Sequence, residues 1–297
     1  APLTEHSFAI GGLEGKTGEV TVTVTAIDQA GNQTIYPVTL HIKDKMALPV
    51  PAIDYINEKL TGLTAGTTYV VGGEKFTAEA DGSIAIDETW FGSGISIHAE
   101  TNHADTTLDS DDVQLVFAAR PEAPGVTKTN ETIKNKKDGK LHNLDATMEY
   151  STDDGKIWTA VQTADAAQAG YATADGVMEN LAAGEIRVRV KARANTAGAN
   201  DGAPHGQYIL AQIEEGTPLT VTFATNGGSD LAPMTGFGWN DTVERPKDPA
   251  KDGYAVEGWY KEETLNNRWN FKNEENAHAL NGTNGVTTDT PGITLYA

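Results

Sequence analysis

Apolar side chains in this sequence recur at every second position, in short runs soon interrupted by Gly, Pro, Asn or Asp, and seldom at the spacing of a helix face. Glu19 to Ile27 is the clearest run. Val20, Val22, Val24 and Ala26 fall on one side and Thr21, Thr23 and Thr25 on the other, the pattern of a strand with one face on a core. Asp28-Gln29-Ala30-Gly31-Asn32 supplies a turn, and Val38, Leu40 and Ile42 continue the alternation on a second arm. This pattern commits the chain to short strands and tight turns, and the 31 Gly and 12 Pro are the residues such turns consume.

At 297 residues the sequence is too long for one small domain. Leu48-Pro49-Val50-Pro51 and Arg120-Pro121-Glu122-Ala123-Pro124 break the strand pattern, because proline removes ladder donors. Around these breaks the sequence repeats. Lys59, Leu60, Leu63, Tyr69 and Lys75 recur as Lys140, Leu141, Leu144, Tyr150 and Lys156, each 81 positions on. Two related tandem modules explain this most simply. Each holds about six or seven short apolar runs, the count of an Ig-like or fibronectin-like β-sandwich. Gly72-Gly73 and Asp81-Gly82 stand where hairpin turns need positive φ. The few helix signals are a turn over Asp165 to Ala169 and a short helix over Lys272 to Leu280. Cysteine is absent, so no disulfide staples any module. No signal peptide opens the sequence, and no stretch approaches the ~20 apolar residues of a membrane helix.

The net charge of -20 argues against nucleic acid and against an anionic membrane surface as partners. One stripe runs against it. Arg187, Arg189, Lys191 and Arg193 alternate with Ile186, Val188, Val190 and Ala192, which would set four cations on one sheet face, suited to an acidic glycan or an acidic neighbour. The plainer reading is a solvent face paired across to acids. Asp105, Asp109, Asp111 and Asp112 offer oxygen ligands for Ca2+, with Asp109, Asp111 and Asp112 as candidate metal residues. That loop lacks the Gly and terminal Glu of an EF-hand, and a solvated acidic turn is the alternative. No other cofactor is expected. His98 and His103 do not have a zinc spacing. Ser151 to Trp158 matches the Asp-box of sialidases, with Ile157 in the Thr position. A propeller would repeat the box in every blade, and here it occurs once, so it reads as a turn brace. No nucleophile elbow, His-Glu-x-x-His or phosphate loop is present. The chain is therefore expected to be no enzyme, or a non-catalytic part of a larger one.

The last stretch is the most specific. Leu219-Thr220-Val221-Thr222-Phe223 alternates into Asn226-Gly227-Gly228, Arg245-Pro246-Lys247-Asp248-Pro249 follows, then Asp252-Gly253-Tyr254-Ala255-Val256-Glu257-Gly258-Trp259-Tyr260, and finally Ile293-Thr294-Leu295-Tyr296-Ala297. This order of pieces resembles the Listeria-Bacteroides repeat, a β-grasp module of secreted and wall-attached bacterial proteins. The resemblance covers about the last quarter of the chain. It implies a strand over Tyr254 to Tyr260 and a core role for Trp259. Trp269 is also read as core. Trp239 stays open between core and a sugar-stacking platform, and is the candidate ligand residue here. The two alternating runs from Glu19 to Ile42, with their Asp28 to Asn32 turn, are similar in turn to the closing hairpin of bacterial Ig-like domains.

Together these readings predict a mainly β, multi-domain string of Ig-like or fibronectin-like sandwiches ending in a small β-grasp-like module. The expected divisions are an incomplete Ig-like hairpin (1–45), two sandwiches (46–120 and 121–216) and the repeat (217–297). The resemblance implies an extracellular, secreted or cell-wall-associated protein, from the interior of a longer Gram-positive surface polypeptide. It would act as spacer and adhesion surface toward a host or neighbouring-cell protein or glycan, without membrane insertion. The alternative is the carbohydrate-binding accessory tail of a secreted glycoside hydrolase.

Overall fold

The structure is a computed structural model and describes residues 9–14, 16–162, 172 and 175–297. Regular structure among them is β, apart from two single 3-10 turns at Glu88–Trp90 and Gly282–Asn284. The chain is mainly β, as its alternation predicts. It divides into two compact units, Ala1–Arg120 with Ala192–Pro204, and Pro121–Lys191 with His205–Ala297.

In the first unit, β1 (Gly18–Ile27) and β2 (Gln33–Ile42) form an antiparallel hairpin in which Val20 faces Leu40 and Val22 faces Val38. The Asp28 carboxylate fixes its turn by accepting the Ala30 and Asn32 amides at 2.9 and 2.8 Å. β3 (Asp44–Lys45) follows. Then come β4 (Ala52–Asp54), β5 (Lys59–Thr61), β6 (Thr68–Val71), β7 (Glu74–Thr77), β8 (Ile84–Ala85), β9 (Gly94–Ala99), β10 (Thr107–Leu108) and β11 (Val113–Val116). β10 pairs with β3, while β4-β5-β8 and β11-β9-β6-β7 form two sheets. These two share a core of Leu60, Tyr69, Val71, Ile97 and Phe117, with Trp90 edge-on to Phe76 at 5.4 Å. Asn195 and Asn200 hold the Ala192–Pro204 segment to this unit, donating to the Ile53 and Val116 carbonyls at 3.1 and 2.7 Å.

The second unit contains β12 (Thr127–Thr129), β13 (Gly139–His142), β14 (Met148–Ser151), β15 (Thr159–Ala160), β16 (Met178–Leu181), β17 (Gly184–Val190) and β18 (Ile209–Ile213). They form sheets β12-β13-β16 and β15-β14-β17-β18 over a core including Leu141, Met178, Val188 and Ile213. The strand order is the same in both sandwiches. The first, second and fifth strands make one sheet, and the fourth joins the third, sixth and seventh, whereas an antibody constant domain pairs its fourth strand with the fifth. The sequence repeat is therefore a repeat of structure. Its most telling detail is a close approach that a side chain would block. Leu63 donates its amide to the Gly82 carbonyl at 3.0 Å and Leu144 to that of Gly176 at 2.9 Å. Both glycines have positive φ, and a Cβ on either would come within 2.4 or 2.5 Å of the leucine carbonyl oxygen.

The same unit ends with β19 (Leu219–Ala224), β20 (Met234–Phe237) and β21 (Gly292–Tyr296), in the order β20-β19-β21 with β19 and β21 parallel. Leu219, Val221, Trp259, Trp269, Phe271 and Leu295 are buried together there, joined by Ile133 from the β12–β13 connection. Two expectations are corrected. The strand over Tyr254 to Tyr260 is reduced to isolated bridges from Tyr260 to Arg268 and Tyr296, with Tyr254 to Trp259 in no ladder. The helix over Lys272 to Leu280 is a series of turns, since Asn273 and Asn276 adopt positive φ and break any helical run. The turn expected over Asp165 to Ala169 lies outside the described residues.

Candidate functional site

The outer face of β14 and β17 carries a cluster of charged and aromatic side chains. Register puts Glu149 opposite Arg189 and Ser151 opposite Arg187. Arg189 donates its Nε to the Glu149 carboxylate at 2.7 Å and lays its guanidinium 3.8 Å from the centre of the Trp158 ring. His205 brings Nδ1 to 3.0 Å from the same Glu149 oxygen. Arg187 donates to the Asp154 carbonyl at 2.8 Å, pairs with the Asp154 carboxylate, and stands over the Tyr208 ring at 4.7 Å.

The Ser151–Trp158 turn sets this up. The Ser151 hydroxyl donates to Asp153 at 2.7 Å and accepts the Gly155 amide, while Asp153 also accepts the Ile157 amide at 2.9 Å. The Ile157 amide, then the Ser151 hydroxyl, hold the Asp153 carboxyl below its usual pKa. With Asp153 fixed, Asp154 and Gly155 take positive φ, and the turn delivers Asp154 to Arg187 and Trp158 to Arg189. Both guanidiniums are thus stacked and ion-paired, a preorganised amphipathic surface with Tyr208, Leu210 and Ile157 exposed beside it.

Burial separates the two ion pairs. Glu149 is 8% exposed overall, whereas the Asp154 side chain is 69% exposed. Glu149→Ala is expected to destabilise the second sandwich by about 2 kcal/mol, the scale of charged hydrogen bonds lost from a buried site. Asp154→Ala should cost less than about 1 kcal/mol. Urea unfolding of the two variants checks this, and equal midpoints would contradict it.

The other candidates lie apart from this pair. Lys191 and Arg193 fall beyond the end of β17. Lys191 donates its backbone amide to Thr147, and Arg193 bridges to Ala203 within the first unit. Only Arg187 and Arg189 therefore share the strand face. Trp239 is half-buried on the terminal core, with Lys136 Nζ 5.2 Å from its ring centre and its amide bonded to the Lys134 carbonyl at 2.7 Å. Asp109, Asp111 and Asp112 are not brought together. Asp109 accepts the Thr101 amide at 2.8 Å, Asp111 pairs with Lys45, and Asp112 sits 2.8 Å from His98 Nδ1. Among the described residues no three metal-ligating side chains converge. Sequence alone does not mark Glu149, His205, Trp158 and Tyr208 as site residues. Cross-strand register was the missing signal for Glu149.

Around β19 the terminal core buries Trp259 fully and Trp269 to 1% exposure, with Phe223 edge-on to Trp259 at 5.1 Å. Residues 220–297 match the Listeria-Bacteroides repeat domain. A protein of Evansella cellulosilytica with a provisional membrane-protein name is 37% identical over 78 residues, 26% of this chain and 10% of its own length. A second from the same organism, provisionally named a Gly-rich membrane protein, is 34% identical over 67 residues, 23% of this chain and 7% of its own. The match thus spans a tenth or less of each relative. Among solved structures, a Ca2+-stabilized adhesin with which an Antarctic bacterium binds ice aligns over 78% of this chain and 68% of that one, at 13% identity and a TM-score of 0.19. That score is too low to carry weight for fold or function. Among the described residues no helix is long and apolar enough to cross a membrane.

Proposed function

We propose that this chain is a non-catalytic series of modules, 1–45, 46–120, 121–216 and 217–297, of a secreted or cell-wall-attached bacterial protein, serving as spacer and interaction surface outside the cell. The observation that carries the reading is the repeat domain at 220–297 following two sandwiches of one strand order. Repetition of a packed unit extends a chain without building a cleft. The acid–base groups that do meet, Glu149, Arg189 and His205, are tied in a cross-strand cluster on a sheet face and support a recognition surface better than a reaction centre. The partner it fits is a protein or glycan of a host or neighbouring cell.

The half-buried Trp239 with Lys136 beside its ring favours one second reading, a carbohydrate-binding tail of a secreted glycoside hydrolase. A glycan array probed with the purified chain separates the two. The spacer and interaction reading expects no signal that depends on Trp239. Binding to one sugar class that Trp239→Ala abolishes, with circular dichroism unchanged, would establish the carbohydrate tail instead.

A further inference from the structure

The two sandwiches differ at one open edge. In the second, the edge strands β12 and β18, with the residues just after them, bond to each other directly. The Lys128 side chain donates to the Gln212 carbonyl, the Glu131 amide donates to the Glu214 carbonyl at 3.3 Å, and the Asn130 side chain accepts the Glu214 amide at 3.2 Å. Register shows which residues stand in those places in the first sandwich, since Ile53 pairs with Leu60 as Lys128 pairs with Leu141. Ile53, Tyr55 and Ile56 are the counterparts of Lys128, Asn130 and Glu131. Tyr55 still reaches across, its hydroxyl accepting the Ala118 amide at 2.8 Å. Ile53 has no donor in its side chain, and the Ile56 amide turns back to the Asp54 carboxylate at 3.0 Å. A groove of about 780 Å³ is left there, lined by residues of β4 and β11.

Ala192–Pro204 spans this groove. Asn195 Nδ2 donates to the Ile53 carbonyl on β4 at 3.1 Å, and Asn200 Nδ2 donates to the Val116 carbonyl on β11 at 2.7 Å. The segment is braced to hold those two amides in place. Arg193 and Ala203 exchange both main-chain hydrogen bonds at its base, at 2.8 and 2.9 Å. Within it the Asp201 carboxylate accepts the Thr196 amide and hydroxyl at 2.8 and 2.9 Å, and Asn195 Oδ1 accepts the Gly202 amide at 2.8 Å. This packing leaves no room for a side chain at Gly202, whose Cβ would come within 2.6 Å of the Arg193 carbonyl oxygen.

We infer that Ala192–Pro204 is a strap that closes the β4–β11 edge of the first sandwich, doing there what Lys128, Asn130 and Glu131 do within the second. An edge strand presents main-chain groups with which another chain can pair, and proteins cover such edges. The second sandwich covers its own edge. The first takes its cover from a stretch far along the sequence. Two neutral side-chain hydrogen bonds are a weak hold, so the strap can lift while both sheets stay packed on the core of Leu60, Val71 and Ile97. Lifting opens the groove and presents the Ile53 and Val116 carbonyls to an extended segment of another chain.

The test removes the strap from the full chain by replacing residues 194–202 with Asn-Gly, a turn that the paired Arg193 and Ala203 can close. Amide hydrogen exchange is then followed residue by residue. Leu115 and Phe117, on the strand paired with β9, are expected to exchange about tenfold faster, while Tyr69 and Val71 of β6 keep their protection. Asn200→Asp, which keeps the shape of the side chain and removes its donor, should move Leu115 and Phe117 in the same direction. Adding Ile53→Lys to the strapless chain should restore slow exchange at both, because a lysine there has the reach of Lys128, whereas Ile53→Met should not. Unchanged exchange at Leu115 and Phe117 in the strapless chain overturns the inference, as does a lysine no better than methionine at position 53. Loss of protection throughout the first sandwich, β6 included, overturns it too, since the segment would then belong to the core and not to an edge.

Discussion

Trp259→Ala is expected to destabilise the repeat domain by about 3–5 kcal/mol, the cost of removing a fully buried Trp from a core that cannot collapse around the gap. Trp259 is 0% exposed, is with Trp269 the largest of the fully buried side chains among the described residues, and meets Phe223 edge-on at 71°. Its indole N–H has no acceptor among the described residues. The loss is therefore one of packing and not of hydrogen bonding, and Trp259→Phe, which keeps a ring in the site, should cost clearly less than the alanine change. Amide exchange distinguishes local from global damage. Protection of β19 and β21 should fall in Trp259→Ala, while β6 and β9 of the first sandwich keep theirs. A variant whose β19 amides exchange like wild type would show that Trp259 is not the keystone of this core.

The role of Trp259 was legible because it sits in a local phrase, Gly258-Trp259-Tyr260, inside an ordered set of pieces. The sandwiches were legible for a related reason. Alternation such as Ile186-Arg187-Val188-Arg189-Val190 states both that a strand exists and which side is buried, and burial of Ile186 and Val188 follows it. Sequence does not state what lies across the sheet. Arg187 and Arg189 look like free cations until register sets Asp154 and Glu149 against them. The acidic loop misleads for the opposite reason. Asp109, Asp111 and Asp112 are neighbours in sequence, but the first accepts the Thr101 amide, the second pairs with Lys45 and the third with His98, so they do not converge. Lys272 to Leu280 shows a third limit, where helix-permissive composition yields to asparagines that prefer turns.

Ile133 marks the residue that periodicity hides most completely, and it supplies the second large effect. It stands as a single apolar residue in the run Thr129-Asn130-Glu131-Thr132-Ile133-Lys134-Asn135-Lys136-Lys137-Asp138, which by composition is a solvated loop. Yet it is 0% exposed and packs with Leu219, Val221 and Trp269 in the core of the repeat domain. The backbone around it is tied to that domain on both sides. Lys134 donates to the Thr217 carbonyl and Thr217 to that of Thr132, each at 3.1 Å, and Trp239 donates to Lys134 at 2.7 Å. Gly216 permits the approach, since a Cβ there would come within 2.3 Å of the Ile133 amide nitrogen. The second sandwich therefore lends a side chain to its neighbour's core. Ile133→Ala is expected to cost about 2–5 kcal/mol and Ile133→Val only about 0.5–1.5 kcal/mol, as for methyl groups removed from a packed interior. The location of the damage is the stronger test. Amides of β19 and β20, more than 80 residues away in sequence, should lose protection before those of β14 and β17 in the sandwich that carries the mutation. Loss confined to β14 and β17 would mean that the loop merely rests on the repeat domain, and that the two cores are energetically separate.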